Sequence, residues 1–105
     1  NSICGDLIKI ELISKNSKIY SMKYETESCV YCEASASLLS KIIKNMHIGI
    51  LKKELNNLKN ISKSDVDYIF TKNFIEFKFL INKNNINRFN CIFLPIDAVL
   101  KALKL

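Results

Sequence analysis

The spacing of apolar residues changes near Cys29, and this change constrains the fold more than any other feature. In residues 7–12, Ile8, Ile10 and Leu12 alternate with Lys9 and Glu11, which is the pattern of a half-buried strand. Residues 15–17 ("KNS") have turn chemistry, and the next segment alternates again, with one face formed by Tyr20, Met22 and Tyr24. The two segments predict an antiparallel β-hairpin.

After Cys29 the apolar residues recur every three to four positions, which predicts an amphipathic helix; they are Leu38, Leu39, Ile42, Ile43 and Met46. Thr26 or Ser28 is expected to cap this helix. Glu33 suits the positive end of its dipole.

Four further segments complete the pattern. A second helix is predicted from Ile50, Leu51, Leu55 and Leu58, and a third, short one over residues 64–72 with Ser62 or Ser64 as its cap. The segment "NFIEFKFLINKNN" fits a strand or a buried helix, and we expect a helix because a new strand would have no nearby partner. A terminal helix is predicted to carry Pro95 in its first turn. The expected fold is one α+β domain over residues 1–105, in which helices cover one face of a small antiparallel sheet (the hairpin plus a possible further strand).

Composition narrows the class of protein. A chain of 105 residues with 49% apolar residues is long enough for one core. No apolar run approaches the length of a membrane span and no signal-peptide pattern is present, so a cytoplasmic protein without a membrane partner is expected. The formal net charge of +6 comes from dispersed lysines without a basic-aromatic cluster, which favours a solvated surface over nucleic-acid binding.

Three cysteines and one carboxylate are predicted to converge. Residues two apart in an extended chain point to the same side, so Cys4 and Asp6 share a side. A hairpin returns the end of its second strand, where Cys29 lies, to the start of the first, and Cys91 just precedes the terminal helix and could approach the same corner. Three thiolates and one carboxylate are a plausible tetrahedral zinc site. The alternative is that each cysteine is a small buried apolar residue.

Three motifs resemble one family. "NSICGDLIKIEL" resembles the N-P-x-C-G-D opening of the SufU proteins, within the IscU/NifU-N superfamily of iron–sulfur cluster assembly factors. "SCVYCEASASLLSKII" is similar to that family's G-C-x-I-S-x-A-S-A-S block. "RFNCIFLPIDAVLKAL" resembles its R-x-x-C segment, with Arg88 and Cys91 at the marked positions. The resemblance extends from Asn1 to about Leu103.

Within the superfamily the chain resembles SufU. IscU-type scaffolds have a histidine directly before the last cysteine and an upstream Leu-Pro-Pro-Val-Lys segment, whereas this chain has Asn90 and no such segment. Residues 45–68 resemble the longer insertion of SufU. The amino-terminal helix of the family, and the strand before the C-G-D motif, have no counterpart in this sequence, and this bears on the surface that docks a desulfurase.

The resemblance implies a Zn²⁺ held by Cys4, Asp6, Cys29 and Cys91, with Arg88 offsetting the negative charge of the site. It also implies transfer of persulfide sulfur from a cysteine desulfurase of the SufS kind to Cys4, or secondarily to Cys91, and onward to a downstream scaffold or apo-proteins. Such a protein is at most a desulfurase-dependent sulfurtransferase. Two alternatives stay open: a scaffold that builds a [2Fe–2S] cluster on the same three cysteines, and a domain whose zinc is purely structural.

Cys32 occupies the position where SufU proteins have serine. A redox Cys-x-x-Cys pair would want Cys29 at a helix start inside a βαβ unit, and the sequence predicts a hairpin instead. We therefore expect Cys32 to be a small helix residue without a role. It could alternatively be a spare sulfur ligand that competes with Asp6, or a resolving thiol.

Overall fold

A β-hairpin and three α-helices form the fold in a computed structural model, which describes residues 7–27, 29–61 and 70–103. The strands are β1 (Leu7–Lys15) and β2 (Lys18–Glu27), and the α-helices are α1 (Val30–Ile42), α2 (Ile48–Lys59) and α3 (Phe89–Leu103). Two 3₁₀ segments, Lys72–Phe79 and Lys83–Arg88, precede α3. The predicted α+β class is confirmed, with a two-stranded antiparallel sheet in the described residues.

The hairpin is closed by a two-residue turn at Asn16 and Ser17. Both residues have positive φ angles, 55° and 65°, which match the right-handed twist of the two strands. The pairing register places Lys9 opposite Glu25 and Glu11 opposite Lys23, so opposite charges face each other on the solvent side. The other side of the sheet, including Ile10, Leu12 and Met22, packs against the core.

A β-bulge at Tyr20 changes which residues of β2 face the core. Ile13 pairs with Ser21 while Ser14 pairs with Ile19, which leaves Tyr20 as the extra residue. Ile19 is therefore 1% exposed and Tyr20 is 58% exposed. The prediction that Tyr20 shares a face with Met22 and Tyr24 is wrong, because the bulge interrupts the alternation.

The linker between α1 and α2 is joined to the start of β2. The N–H of Ile19 donates to the carbonyl of Met46 at 2.9 Å, and the N–H of Asn45 donates to the carbonyl of Ile19 at 2.8 Å. His47 is exposed and caps α2, since its Nδ1 accepts a hydrogen bond from the N–H of Gly49 at 3.0 Å. These bonds fix the end of α1 against the hairpin.

The core lies between the sheet and the three helices. Helix α2 contributes Leu51, Leu55 and Leu58. Ile50, which was expected on the same stripe, is 54% exposed because it is one position out of phase with Leu51. Helix α3 contributes the largest buried set: Phe89, Cys91, Ile92, Pro95, Ile96, Val99 and Leu100. None of the helices in the described part of the chain is long and apolar enough to cross a membrane.

The segment "NFIEFKFLINKNN" is helical as predicted, but it forms 3₁₀ turns rather than an α-helix. Its first segment buries Phe74 and Phe77, and non-helical φ/ψ angles at Phe74 and Asn85 divide it. The helix predicted over residues 64–72, with its caps Ser62 and Ser64, lies almost entirely outside the described residues.

Helix α3 begins at Phe89, so the expectation that Pro95 lies in its first turn, and that Cys91 precedes the helix, is wrong. The second 3₁₀ segment leads directly into α3, and the N–H of Phe89 donates to the carbonyl of Ile86. The chain is therefore already helical when it reaches Cys91. Pro95 has no N–H, so it cannot donate the helical hydrogen bond to the carbonyl of Cys91.

Candidate metal and sulfur site

Cys29 lies at the junction between the sheet and the first helix. It is the N-cap residue of α1, with φ −73° and ψ 166°, and its carbonyl accepts from the N–H of Glu33 at 3.2 Å. The predicted cap Thr26 is instead part of β2, and Ser28 lies outside the described residues. Cys29 is half-buried and the next residue, Val30, is 77% exposed, so a partner can reach this junction.

The start of α1 favours negative charge. The first N–H groups of a helix have no partner within the helix and carry a partial positive charge. Such a position attracts anionic groups. The location of Cys29 therefore suits both predicted roles.

Cys91 lies in the first turn of α3 and its side chain is fully buried. Its sulfur forms a disulfide. Cys91 can bind a metal or accept sulfur only as a thiol, so either role requires reduction first.

Two contacts bring the beginnings of α1 and α3 to the same end of the molecule. The guanidinium of Arg88, directly before α3, lies 5.6 Å from the centre of the Tyr31 ring in α1. One turn further along both helices, the buried hydroxyl of Ser35 donates to the carbonyl of Ile92 at 2.6 Å. From the first contact to the second, the residue number increases by four in both helices, so α1 and α3 run in the same direction. Cys29 and Cys91, which lie at the starts of these helices, are therefore at the same end of the molecule.

The hairpin leads to the same end. Leu7 pairs with Glu27, two residues before Cys29, and α3 also packs against β1. Cys4 and Asp6 lie outside the described residues, so the structure describes two of the four predicted ligands. Among residues 7–27, 29–61 and 70–103, no group of three or more His, Cys, Asp or Glu side chains is close enough to hold a metal.

Arg88 is exposed beside the first turn of α1. Its contact with Tyr31 is a cation–π interaction. This contact joins two residues that lie close in sequence to the predicted ligands, since Tyr31 follows Cys29 by two positions and Arg88 precedes Cys91 by three. The resemblance to the family's R-x-x-C segment indicated Arg88, but nothing in the sequence analysis indicated Tyr31 or Ser35. A signal for Ser35 was present, because a serine three residues after Cys32 falls on the apolar stripe of the predicted helix.

Cys32 lies one helical turn after Cys29 and is 0% exposed. It belongs to the buried stripe of α1 that also contains Ser35, Ala36 and Leu39, and the Ser35–Ile92 hydrogen bond shows that this stripe faces α3. A redox Cys-x-x-Cys pair requires its first cysteine at a helix start, and Cys29 has that position. The strands before α1 form a hairpin, however, and not the βαβ unit of such proteins.

Comparison with known proteins gives three findings. Residues 1–68 match the family described as NifU-like N terminal domain. An uncharacterized protein of Borreliella burgdorferi is 29% identical over 108 residues, which cover 98% of this chain and 70% of that protein. The crystal structure of a nitrogen-fixing NifU-like protein (N-terminal) from Brucella abortus matches with a TM-score of 0.83 at 16% identity, over 99% of this chain and 72% of that one.

Proposed function

Since this chain belongs to the NifU-like N-terminal domain family, whose members work in iron–sulfur cluster assembly, we propose that it accepts persulfide sulfur from a cysteine desulfurase and passes it on for cluster synthesis. The proposed desulfurase is of the SufS kind, and the proposed recipients are a downstream scaffold or apo-proteins in the cytoplasm. Cys4 is the proposed acceptor, with Cys91 as the second choice.

The observation that carries the proposal is the common end of α1 and α3. Cys29 is the N-cap residue of α1 and Cys91 lies in the first turn of α3. The guanidinium of Arg88, directly before α3, lies over the ring of Tyr31 in α1. An exposed Val30 beside Cys29 leaves room for a partner protein. A sulfur-accepting site needs such a combination of thiols, positive charge and access.

The donor set suits zinc. Thiolates and a carboxylate are among the ligands that Zn²⁺ takes in proteins, and Cys29 lies at the start of α1. We propose Cys4, Asp6, Cys29 and Cys91 as the ligands, with Cys91 reduced. When bound, zinc keeps ligand thiols deprotonated at neutral pH. Three thiolates and one carboxylate around Zn²⁺ leave a net charge of about −2, which Arg88 partly offsets.

The transfer itself is a thiol exchange. A thiolate of this chain attacks the terminal sulfur of the desulfurase persulfide, the sulfur–sulfur bond of that persulfide breaks, and the desulfurase thiolate leaves. One sulfur atom changes its carrier, and no external oxidant or reductant is needed.

The experiment combines reduced protein with a SufS-type desulfurase, cysteine and a thiol reductant. We expect the protein to increase sulfide release, and Cys4→Ala to abolish the increase while circular dichroism shows an intact fold. Without reductant, one extra sulfur atom should map to the tryptic peptide 1–9, which contains Cys4, or otherwise to peptide 89–101, which contains Cys91. No stimulation, in a protein that contains any native segment preceding Asn1, would contradict the proposal.

Metal analysis tests the zinc site separately. Freshly prepared reduced protein should contain about one zinc per chain. Asp6→Ala should change metal affinity without unfolding the protein, because three sulfur ligands remain. Zinc content that survives loss of any one of Cys4, Cys29 or Cys91 unchanged would exclude this ligand set.

A scaffold for a [2Fe–2S] cluster is the second candidate, because the same cysteines suit iron. Anaerobic addition of iron and sulfide would then give a coloured species with equal amounts of iron and acid-labile sulfide, and zinc-loaded protein would stimulate the desulfurase little. A purely structural zinc domain would give neither result. Asn90 favours sulfur transfer, since it stands where IscU-type scaffolds have histidine.

A further inference from the structure

Cys29 and Cys32 are arranged as a reactive dithiol. Both are thiols in the structure. Cys29 is half-buried at the N-cap of α1, and Cys32 is fully buried one turn later. An accessible sulfur at a helix start followed by a protected sulfur is the arrangement in which one thiol receives an incoming group and the other resolves it.

The backbone allows a bond between the two sulfurs. Val30 and Tyr31, which lie between the cysteines, are helical, and helix geometry places residues three apart with Cα atoms separated by about 5 Å. Disulfides occur at Cα separations of roughly 4.4–6.8 Å. The Cα separation of Cys29 and Cys32 therefore lies within the range of disulfides.

We propose that Cys29 and Cys32 reduce sulfane sulfur to sulfide. The Cys29 thiolate attacks the outer sulfur of a donor persulfide, the sulfur–sulfur bond of the donor breaks, and the donor thiolate leaves, so that Cys29 carries the persulfide. Delivery of this sulfur by a desulfurase rests on the proposed function, whereas the chemistry that follows does not. Cys32 attacks the inner sulfur of the Cys29 persulfide. The bond between the two persulfide sulfurs breaks, a Cys29–Cys32 disulfide forms, and the outer sulfur leaves as hydrogen sulfide with the Cys32 proton. The two electrons that the sulfane sulfur gains are those that the dithiol loses.

Burial directs this reaction. Cys32 is 0% exposed, so external persulfides and oxidants reach Cys29 first. Cys32 then lies one helical turn after the residue that carries the persulfide. A dithiol reductant of the thioredoxin class would regenerate the pair. Formation of the disulfide also withdraws Cys29 from the proposed metal site.

The test uses glutathione persulfide as the sulfur donor, with no desulfurase, on protein that has been fully reduced and freed of reductant. Trypsin cleaves after Lys23 and Lys41, so peptide 24–41 contains Cys29 and Cys32 and no other cysteine. Wild-type protein should release sulfide, and peptide 24–41 should lose two hydrogen atoms. In Cys32→Ser the same peptide should instead retain one extra sulfur on Cys29, which dithiothreitol then releases as sulfide.

Two results would overturn the proposal. One is a wild-type peptide 24–41 that carries extra sulfur but forms no internal disulfide. The other is sulfide release from Cys32→Ser equal to that from wild type. Because Cys32 is buried, Cys32→Ala serves as a second, apolar variant if the serine variant fails to fold.

A parallel reaction with desulfurase and cysteine separates this inference from the proposed function. Disulfide formation with glutathione persulfide but no sulfur transfer from the desulfurase would overturn the proposed function and support the dithiol. Desulfurase stimulation without a disulfide in peptide 24–41 would overturn the proposed reduction by Cys29 and Cys32 and would support the proposed function.

Discussion

Arg88 and Tyr31 form a charged contact beside the proposed site. The guanidinium lies 5.6 Å from the ring centre, within the range of a cation–π interaction. Arg88 is exposed, so the contact adds at most about 1 kcal/mol to stability, and it restricts where this positive charge can lie. Positive charge held near thiolates lowers the cost of gathering several anionic ligands at one metal.

Replacing Arg88 tests both effects. Arg88→Gln and Tyr31→Leu should each lower the free energy of unfolding by about 0.5–1 kcal/mol, and the double variant should lose less than the sum, because one contact is removed once. Urea denaturation measures these values. Arg88→Gln should also lose zinc to a chelator faster than wild type.

Tyr31→Phe is the matched control, because it keeps an aromatic ring under the guanidinium. It should behave as wild type in both measurements. Equal zinc retention in Arg88→Gln and wild type would show that Arg88 does not offset the charge of the site.

Single residues also show how local rules are overridden. Side-chain capping preference favoured Thr26 or Ser28 as the cap of α1, yet the cap is Cys29. The position of the cap is decided by where β2 ends, at Glu27, which capping preference does not describe. The motif resemblance singled out Cys29 as a ligand and made no prediction about the cap.

At the scale of elements, the buried hydrogen bond between α1 and α3 aligns the two helices. The hydroxyl of Ser35 reaches the carbonyl of Ile92 at 2.6 Å, next to a fully buried Ala36. Small side chains here let the helices approach closely. The same bond sets the level of Cys91, the residue before Ile92, relative to α1.

Ser35→Ala should therefore destabilise the protein by about 1 kcal/mol, since a buried hydrogen bond is lost. Ser40→Ala is its control, because the Ser40 hydroxyl bonds only within α1, to the Ser37 carbonyl at 2.8 Å, and its removal should change stability little. Thermal and urea unfolding measure both. A smaller loss for Ser35→Ala than for Ser40→Ala would show that this bond does not join the helices.

Most elements were predictable from periodicity, and the exceptions have local causes. The hairpin, α1 and α2 each repeat their apolar pattern several times, so they were recognised. The bulge at Tyr20 is one inserted residue without a sequence signal of its own. The start of α3 was misplaced because proline favours first turns, whereas here a 3₁₀ segment begins the helical path before Pro95 is reached.

At the scale of the whole molecule, the proposed ligands come from distant parts of the chain. Cys29 follows the hairpin and Cys91 lies in the last helix, so only the folded chain can present them together. The motifs single out the residues of the proposed site. They could not give the separation of these residues, because that depends on how α3 packs across α1 and β1.

A metal that binds only the folded state stabilises it in proportion to the logarithm of its concentration, by about 2.7 kcal/mol at one hundred times the dissociation constant. Zinc should therefore raise the unfolding temperature of the reduced protein by roughly 10 °C or more. Calorimetry with and without a chelator measures the shift.

Cys29→Ser should lose most of this shift, while Cys32→Ser, which leaves the four proposed ligands in place, should keep it. An equal loss in both variants would make Cys32 a ligand.

Pro95 has a mechanical consequence for α3. Because it cannot donate to the Cys91 carbonyl, the turn that carries Cys91 is tied to the rest of the helix by one backbone hydrogen bond fewer than usual. Beyond it, Ile96, Val99 and Leu100 remain anchored in the core. Phe89, Cys91 and Ile92 are buried before the proline as well, and Ser35 donates to the Ile92 carbonyl. Side-chain packing and this bond therefore hold the first turn of α3 where the helical hydrogen bond is missing.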